Sequence, residues 1–156
     1  MTNRRANRRR KPALDAIEVR PSAVHGLGVF ARWALNAGQH LSDYRGRRLS
    51  ADEVVDAPAD GVTYLFTLSE GGYIDGRHGG NATRHLNHSC APNCHAQEYR
   101  GPDGRLEVRI ETLLEVAPDE ELFLDYALVI DPSEKPEDYP CRCGAATCRG
   151  SLAITE

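Results

Sequence analysis

Apolar and polar positions alternate along this chain in short runs, and turn-forming residues keep cutting them. "AIEVRPS", "GVFARWAL" and "HLSDYRG" each carry β-branched or aromatic residues and meet Gly, Pro or Asn within a few positions, the texture of short strands in small twisted sheets. "VTYLFTL" and "YIDG" predict two more strands, "RLEVRIETLLEV" a longer one after the turn "GPDG", and "ELFLDYALVI" another. The best helix is short: in "SADEVVDA", Ser50 stands where a cap belongs and Glu53 follows three residues later. Residues 131–140, "DPSEKPEDYP", form a proline-rich acidic linker, and no internal repeat is visible. The pattern predicts a mainly β domain, rich in loops and poor in long helices.

A length of 156 residues suits one domain with a core of its own. The longest apolar stretches, "YLF" and "ALVI", are far too short to span a bilayer, and no apolar segment follows the basic N-terminus as a secretory signal would require. An intracellular site of action is therefore expected, in the cytoplasm or on chromatin. Charge is divided unevenly. Six of the 19 Lys and Arg lie in "RRANRRRK" at 4–11, which leaves 13 basic against 23 acidic side chains in the remainder, a balance of −10. Residues 1–12 read as a disordered basic arm. The acidic body suits a basic protein partner and argues against a phosphate backbone lying on the folded part, so any nucleic-acid contact is assigned to the arm alone. The oligomeric state is left open.

Five cysteines in such a chain point to metal ligation or buried thiols rather than to a disulfide framework. Cys141, Cys143 and Cys148 stand as C-x-C-x4-C in "PCRCGAATCRG". A structural zinc site is closed by four ligands, so this trio lacks one. "RHLNHSCAPNC" offers Cys90 and Cys94, and the proline-containing turn between them lets at most one face the same ion.

Several of these stretches together resemble one family. "RHLNHSCAPNC" is similar to the SET-domain signature R-F-[IF]-N-H-S-C-x-P-N, "EELFLDY" to its E-E-L-x-[FY]-D-Y, and "CRCGAATCRG" to the post-SET zinc motif. "HGLGVFA", "DYRG" and "YIDGRHGGNATR" resemble its upstream motifs, and the matches run in family order from about residue 17 to 152. The resemblance implies a SET fold of several small β-sheets over 13–130, a pseudoknot made by the C-terminal segment, and a post-SET zinc segment over 141–156. It implies a protein-lysine N-methyltransferase that uses S-adenosylmethionine and takes a lysine-bearing tail, of a histone or another basic protein, as its partner. It names Cys90 as the fourth zinc ligand beside Cys141, Cys143 and Cys148, and leaves Cys94 over. It places Tyr126 at the reaction centre, and His25, Gly26, Leu27, Tyr64, Arg84, Asn87 and His88 around the cofactor. Tyr44, Phe66 and Leu124 are expected to line the lysine channel. The chain departs from the pattern at His85 and Leu86, where Phe and Ile are usual, and at Arg47, where an acidic residue is common.

The chemistry agrees with these residue types. Only a neutral amine can attack a methyl group, and a free lysine, at about 10.4, is almost fully protonated at neutral pH. An apolar aromatic channel beside a positive sulfonium lowers that value by desolvation and by like-charge repulsion. A tyrosine hydroxyl then orients the amine. Leu124 replaces the aromatic residue usual two positions before the tyrosine, which predicts progress to di- or trimethyl-lysine. Two other classes fit parts of the sequence. A degenerate SET fold would hold a peptide without turning it over, and a cysteine hydrolase would use the Asn, His and Cys of "NHSC".

Overall fold

The computed structural model describes residues 13–54 and 64–154. Among the described residues ten strands fall into three small sheets: β1 (Ile17–Pro21), β2 (Leu27–Ala31), β3 (His40–Asp43), β4 (Arg47–Leu49), β5 (Leu65–Thr67), β6 (Tyr73–Asp75), β7 (Asn87–His88), β8 (Cys94–Arg100), β9 (Leu106–Thr112) and β10 (Glu121–Leu124). The orders are β1-β2-β10-β7, β3-β9-β8 and β4-β6-β5. This is the mainly β, several-sheet architecture the pattern predicted. Among the described residues the only helices are single 3-10 turns, and none is long and apolar enough to cross a membrane.

The burial of β9 follows its alternation. Val108, Ile110 and Thr112 are buried, while Glu107, Arg109 and Glu111 stand between them on the more open face. The strand stops earlier than the run "RLEVRIETLLEV" suggested. At its end the Thr112 hydroxyl donates to Asn36 O at 2.5 Å and accepts from Gln39 N–H at 2.8 Å, so the side chain binds a neighbouring loop and the ladder closes there. Leu113 and Leu114 are exposed, and Val116 returns to bridge Leu35.

β8 did not stand out in the sequence. "CHAQEYR" has few strong strand formers, but it pairs with β9 over its whole length, from Cys94 opposite Thr112 to Arg100 opposite Leu106. The turn between them is the predicted "GPDG", in which Gly104 takes φ +79° and Asp103 accepts the Arg105 N–H at 3.1 Å. The short helix is one 3-10 turn, Ala51–Glu53, tied by the Ser50 N–H donating to the Glu53 carboxylate at 2.8 Å. Residues 55–57 of that expectation, the basic arm at 1–12 and residues 155–156 lie outside the described residues.

β10 decides where the chemistry goes. It pairs antiparallel with β2, Leu122 opposite Val29, and parallel with β7, Phe123 opposite Asn87 and Leu124 opposite His88. Asn93 extends the ladder with its side chain: its amide oxygen accepts Phe123 N–H at 2.8 Å, and its amide nitrogen donates to Glu121 O at 2.8 Å. Two motifs far apart in sequence thus lie side by side. "ELFLDYALVI" is strand only to Leu124, because Tyr126 turns its N–H to a side chain instead of a strand and Ala127 takes φ +43°.

Candidate active site and cysteine cluster

A turn from Ser22 to Gly26, closed by Ser22 N–H on Gly26 O at 2.8 Å, forms one edge of the site. Gly26 has φ +44° with open space where a side chain would stand, so the backbone here is accessible. The Asn87 amide holds the turn, reaching His25 O at 3.1 Å and Leu27 O at 3.0 Å. The same nitrogen lies 3.0 Å from a Glu121 carboxylate oxygen, whose partner oxygen accepts from the Ser22 hydroxyl at 3.0 Å. A Cβ at Gly28 would fall 2.1 Å from Glu121 Oε1. A side chain there would displace the carboxylate from this position.

The aromatic residues gather on the other side. Tyr44 is buried, donates its hydroxyl to Tyr64 O at 2.6 Å, and packs on Phe66 with ring centroids 5.5 Å apart. Burial pushes its phenol well above the usual tyrosine range. The Tyr64 ring meets the edge of His85, 5.7 Å between centroids, and carries the Arg84 guanidinium at 5.7 Å. His85, one of the departures from the family pattern, accepts from Arg84 Nε at 3.1 Å and is held below the usual histidine value by burial and by that arginine. Leu124 is buried in the apolar cluster against which Phe66 packs. Tyr99 is committed elsewhere, its hydroxyl on Asp43 at 3.0 Å and its ring under Arg109.

Tyr126 is 48% exposed as a residue, but its hydroxyl end is turned inward. That hydroxyl donates to Leu86 O at 2.7 Å, and burial, with Tyr64 close by, pushes the phenol up to about 12. It is therefore neutral at physiological pH. The Tyr126 N–H donates to His88 Nδ1 at 3.0 Å. A backbone N–H only donates, so Nδ1 is unprotonated, and the imidazole proton sits on Nε2, 3.3 Å from Cys90 Sγ. Nδ1 lies 3.6 Å from Asp125 and makes no ion pair with it in this state. Burial, aided by Arg149 and opposed by Asp125, lowers the His88 value and keeps the ring neutral. Both ring nitrogens of His88 are thus engaged, and β7, which carries it, is an edge strand of its sheet.

This tautomer also disposes of a cysteine hydrolase. A general base must accept the thiol proton, and the His88 nitrogen facing Cys90 already carries one. Cys90 moreover belongs to a larger group: Cys90, Cys141, Cys143 and Cys148 bring their sulfurs within 4.8 Å of one another. Tetrahedral zinc with Zn–S bonds of about 2.3 Å places its sulfurs ~3.8 Å apart, and Cys90 and Cys141 stand at 3.8 Å. The four residues can hold a metal ion. Backbone N–H groups of Arg149 and Gly150 point at Cys90 and Cys148 sulfurs at 3.4 and 3.3 Å, which favours thiolates. Burial pushes Cys141 up to about 12. Burial acts in the same sense on Cys143, but the N–H groups of Cys90 and Ala145 and the adjacent thiols outweigh it and bring that thiol to about 6. Cys94 lies apart, fully buried in β8, its thiol raised to about 12 by burial and by Glu120.

Ser22, Gly28, Glu121, Asp125 and Arg149 went without a role in the sequence reading. Gly28, Glu121, Asp125 and Arg149 all lie inside motifs quoted there, "HGLG", "EEL", "LDY" and "CRG", so the signal was the motif itself.

The geometry defines a class: a mainly β protein of three small sheets, with a parallel β7–β10 pair from whose His88 contacts run both to Tyr126 and to a four-cysteine cluster. The family model for the SET domain matches residues 26–127, and the chain belongs to that family. An H3 lysine-4 specific histone-lysine N-methyltransferase of Schizosaccharomyces pombe is 34% identical over 138 residues, covering 85% of this chain and 14% of that protein. Human histone-lysine N-methyltransferase 2B is 32% identical over 149 residues, covering 92% of this chain and 5% of that protein. The chain thus spans a small part of the length of these curated relatives. A crystal structure of KRYPTONITE in complex with mCHG DNA and SAH is 29% identical with TM-score 0.71, over 87% of this chain and 28% of that one. A structure of ctPRC2 bound to S-adenosylmethionine is 27% identical with TM-score 0.65, over 71% of this chain and 15% of that one.

Proposed function

We propose that this chain is a protein-lysine N-methyltransferase that uses S-adenosylmethionine and acts on a lysine in a basic protein tail, a histone tail being the first candidate. The observation that carries the reading is Tyr126, a neutral phenol anchored at Leu86 O beside an aromatic cluster, in a chain of the SET domain family. S-adenosylmethionine, when bound, supplies an electrophilic methyl group on a positive sulfur. The open backbone of the His25–Leu27 turn and the free edge of β7 at Asn87 and His88 would hold it, with Tyr64 and Arg84 closing over it.

The remaining work belongs to the chain's own side chains. Tyr44, Phe66 and Leu124 would wall a channel apolar enough to favour the neutral lysine amine. The Tyr126 hydroxyl, held on one carbonyl, keeps a lone pair with which to orient that amine, and alignment of this kind supplies a large share of the rate. The four cysteines would hold a structural zinc and so order the C-terminal segment. The acidic body favours a basic substrate, and the relatives named for histone lysines set the order in which to try substrates. That substrate class implies a place of action on chromatin.

Labelled S-adenosylmethionine offered with histones, other basic proteins and the chain itself, read by mass spectrometry, tests the proposal. Methyl-lysine on at least one substrate is the expected result. A melting temperature raised by S-adenosylmethionine without transfer to any of them would favour the peptide-binding module instead.

A further inference from the structure

We propose that Arg149 is a positioning residue, acting through Asp125 to couple the ligated state of the cysteine cluster to the placement of Tyr126. The inference rests on the reading just given of Tyr126 and the four cysteines. Arg149 directly follows Cys148, and its N–H points at Cys90 Sγ at 3.4 Å, so its backbone is part of the cluster. Its guanidinium grips the Asp125 carboxylate with two bonds of 2.7 and 2.9 Å, the planar fork-on-fork arrangement that fixes direction as well as distance. Asp125 precedes Tyr126, and the same carboxylate accepts the Ala127 N–H at 2.9 Å. One carboxylate therefore spans the turn at whose centre Tyr126 stands, and Arg149 holds that carboxylate.

Tyr126 needs such a hold. The residue as a whole is about half exposed, so packing does not fix it from all sides, and Ala127 beside it takes φ +43°. The second tether leads to the same place, since Tyr126 N–H rests on His88 Nδ1 while His88 Nε2 faces Cys90 Sγ. Both routes from Tyr126 end at the four sulfurs. Between 131 and 150 no residue is buried, so the place of Arg149 is set by the cysteine cluster and by the main-chain bond of Cys141 N–H on Gly150 O at 3.0 Å beside it. With the cysteines drawn together on an ion the clamp is closed, and with the cluster open Arg149 is free to leave.

The test uses the full chain with metal content measured for every variant: Arg149→Gln, Asp125→Asn, the double variant, and Arg149→Lys. At full metal content, each of the first two is expected to lower kcat roughly tenfold with KM for S-adenosylmethionine changed less than about twofold. The double variant should lose no more than the worse single one, because both remove one contact. Arg149→Lys should recover part of the loss. Amide exchange at Tyr126 and Ala127 should quicken in Arg149→Gln. Unchanged kcat and unchanged exchange with metal retained, or losses that multiply in the double variant, would overturn the proposal. Should Arg149→Gln shed its metal, Asp125→Asn, which adjoins no cysteine, decides by the same readouts. A wild-type chain that transfers no methyl group would defeat the preceding reading, while amide exchange would still decide this one.

Discussion

The β7–β10 region and the segment from 131 to 154 are held together by different means. The first is buried: Val29 and Leu122 are wholly inaccessible, and Asn87 and Asn93 stitch β10 and the Ser22–Gly26 turn with side-chain amides that reach main-chain and carboxylate groups. In the second only Ser151 and Ala153 are classed as buried. It is attached by a bridge from Leu128 to Ala153, with Leu128 N–H on Leu152 O at 3.2 Å and Ile154 N–H on Leu128 O at 3.0 Å, by Arg149 on Asp125, and by the four sulfurs. Apolar burial stabilises one region by many small contributions. The other concentrates its order in four cysteines that can hold a metal ion, and so has a single point of failure.

The largest effect expected is the collapse of that asymmetry. Cys90→Ser should lose the metal, disorder the C-terminal segment and reduce methyl transfer to background, while the sheets stay folded. Cys94→Ser, at a buried position apart from the cluster, should keep one metal per chain. Metal analysis together with amide exchange checks both halves, and equal metal content in the two variants would remove Cys90 from the ligand set.

The same contrast explains what could be read from the chain beforehand. The cysteine trio is local in sequence, and its chemistry needs no fold to be recognised, so the search for a fourth ligand could begin from spacing alone. Asn87 and Asn93 stand in the quoted signature, but their contacts could not be read from it: Asn93 meets β10 across 30 residues and Asn87 meets the His25 carbonyl across 62, and amide side chains carry no periodicity. β8 was missed because "CHAQEYR" draws its strand character from its neighbour β9 and not from β-branched residues. β10 was drawn too long because "DYALVI" remains apolar past the point where the backbone leaves the sheet, and the carboxylate and imidazole that turn it are set from residues 149 and 88.

Tyr126→Phe should come next in size. The phenol is neutral and held by Leu86 O, so its removal takes away orientation and not charge, and kcat is expected to fall roughly a hundredfold with cofactor binding nearly intact. The pH dependence sharpens the assignment. Because folding raises this phenol from its usual value to about 12, the hydroxyl remains protonated across the alkaline range in which the lysine amine loses its proton. The rate should thus climb to about pH 10 without a descending limb from Tyr126. The stabilisation tied to its raised value is full below the unfolded tyrosine value and is lost as pH rises from there through about 12. A rate that falls between pH 8 and 10 while the protein stays folded would assign the titrating group to another role.

Gly28→Ala probes the buried region alone. The new Cβ would stand 2.1 Å from Glu121 Oε1 and 3.1 Å from Ser22 Cβ, so the carboxylate must move and loosen the Asn87 and Ser22 contacts. A loss of about 2 kcal/mol in unfolding free energy is expected, with S-adenosylmethionine binding weakened and metal affinity unchanged. Denaturant titration of the metal-loaded chain measures the first. Metal affinity falling in step with stability would show that the two regions are less separate than their packing suggests.

The smallest effect concerns Leu124, which belongs to the buried region but should act on product and not on stability. It is buried in the apolar cluster, opposite His88 in the β7–β10 pair, and has no hydroxyl with which to hold a water. A methylated lysine must rotate its amine to present the lone pair for the next transfer. A water fixed beside it at 1–2 kcal/mol would slow that next transfer by about five- to thirty-fold. Wild-type chain is therefore expected to reach di- or trimethyl-lysine, and Leu124→Tyr to accumulate the monomethyl product at nearly unchanged first-transfer rate. Phe66, which packs on Tyr44 and against the cluster that holds Leu124, is the residue placed to narrow the same space, and Tyr99 is not, because Asp43 and Arg109 already engage it. Extended incubation with products weighed by mass spectrometry distinguishes the cases: a wild-type reaction that stops at monomethyl-lysine and resumes in Phe66→Leu would move the control of product from Leu124 to Phe66.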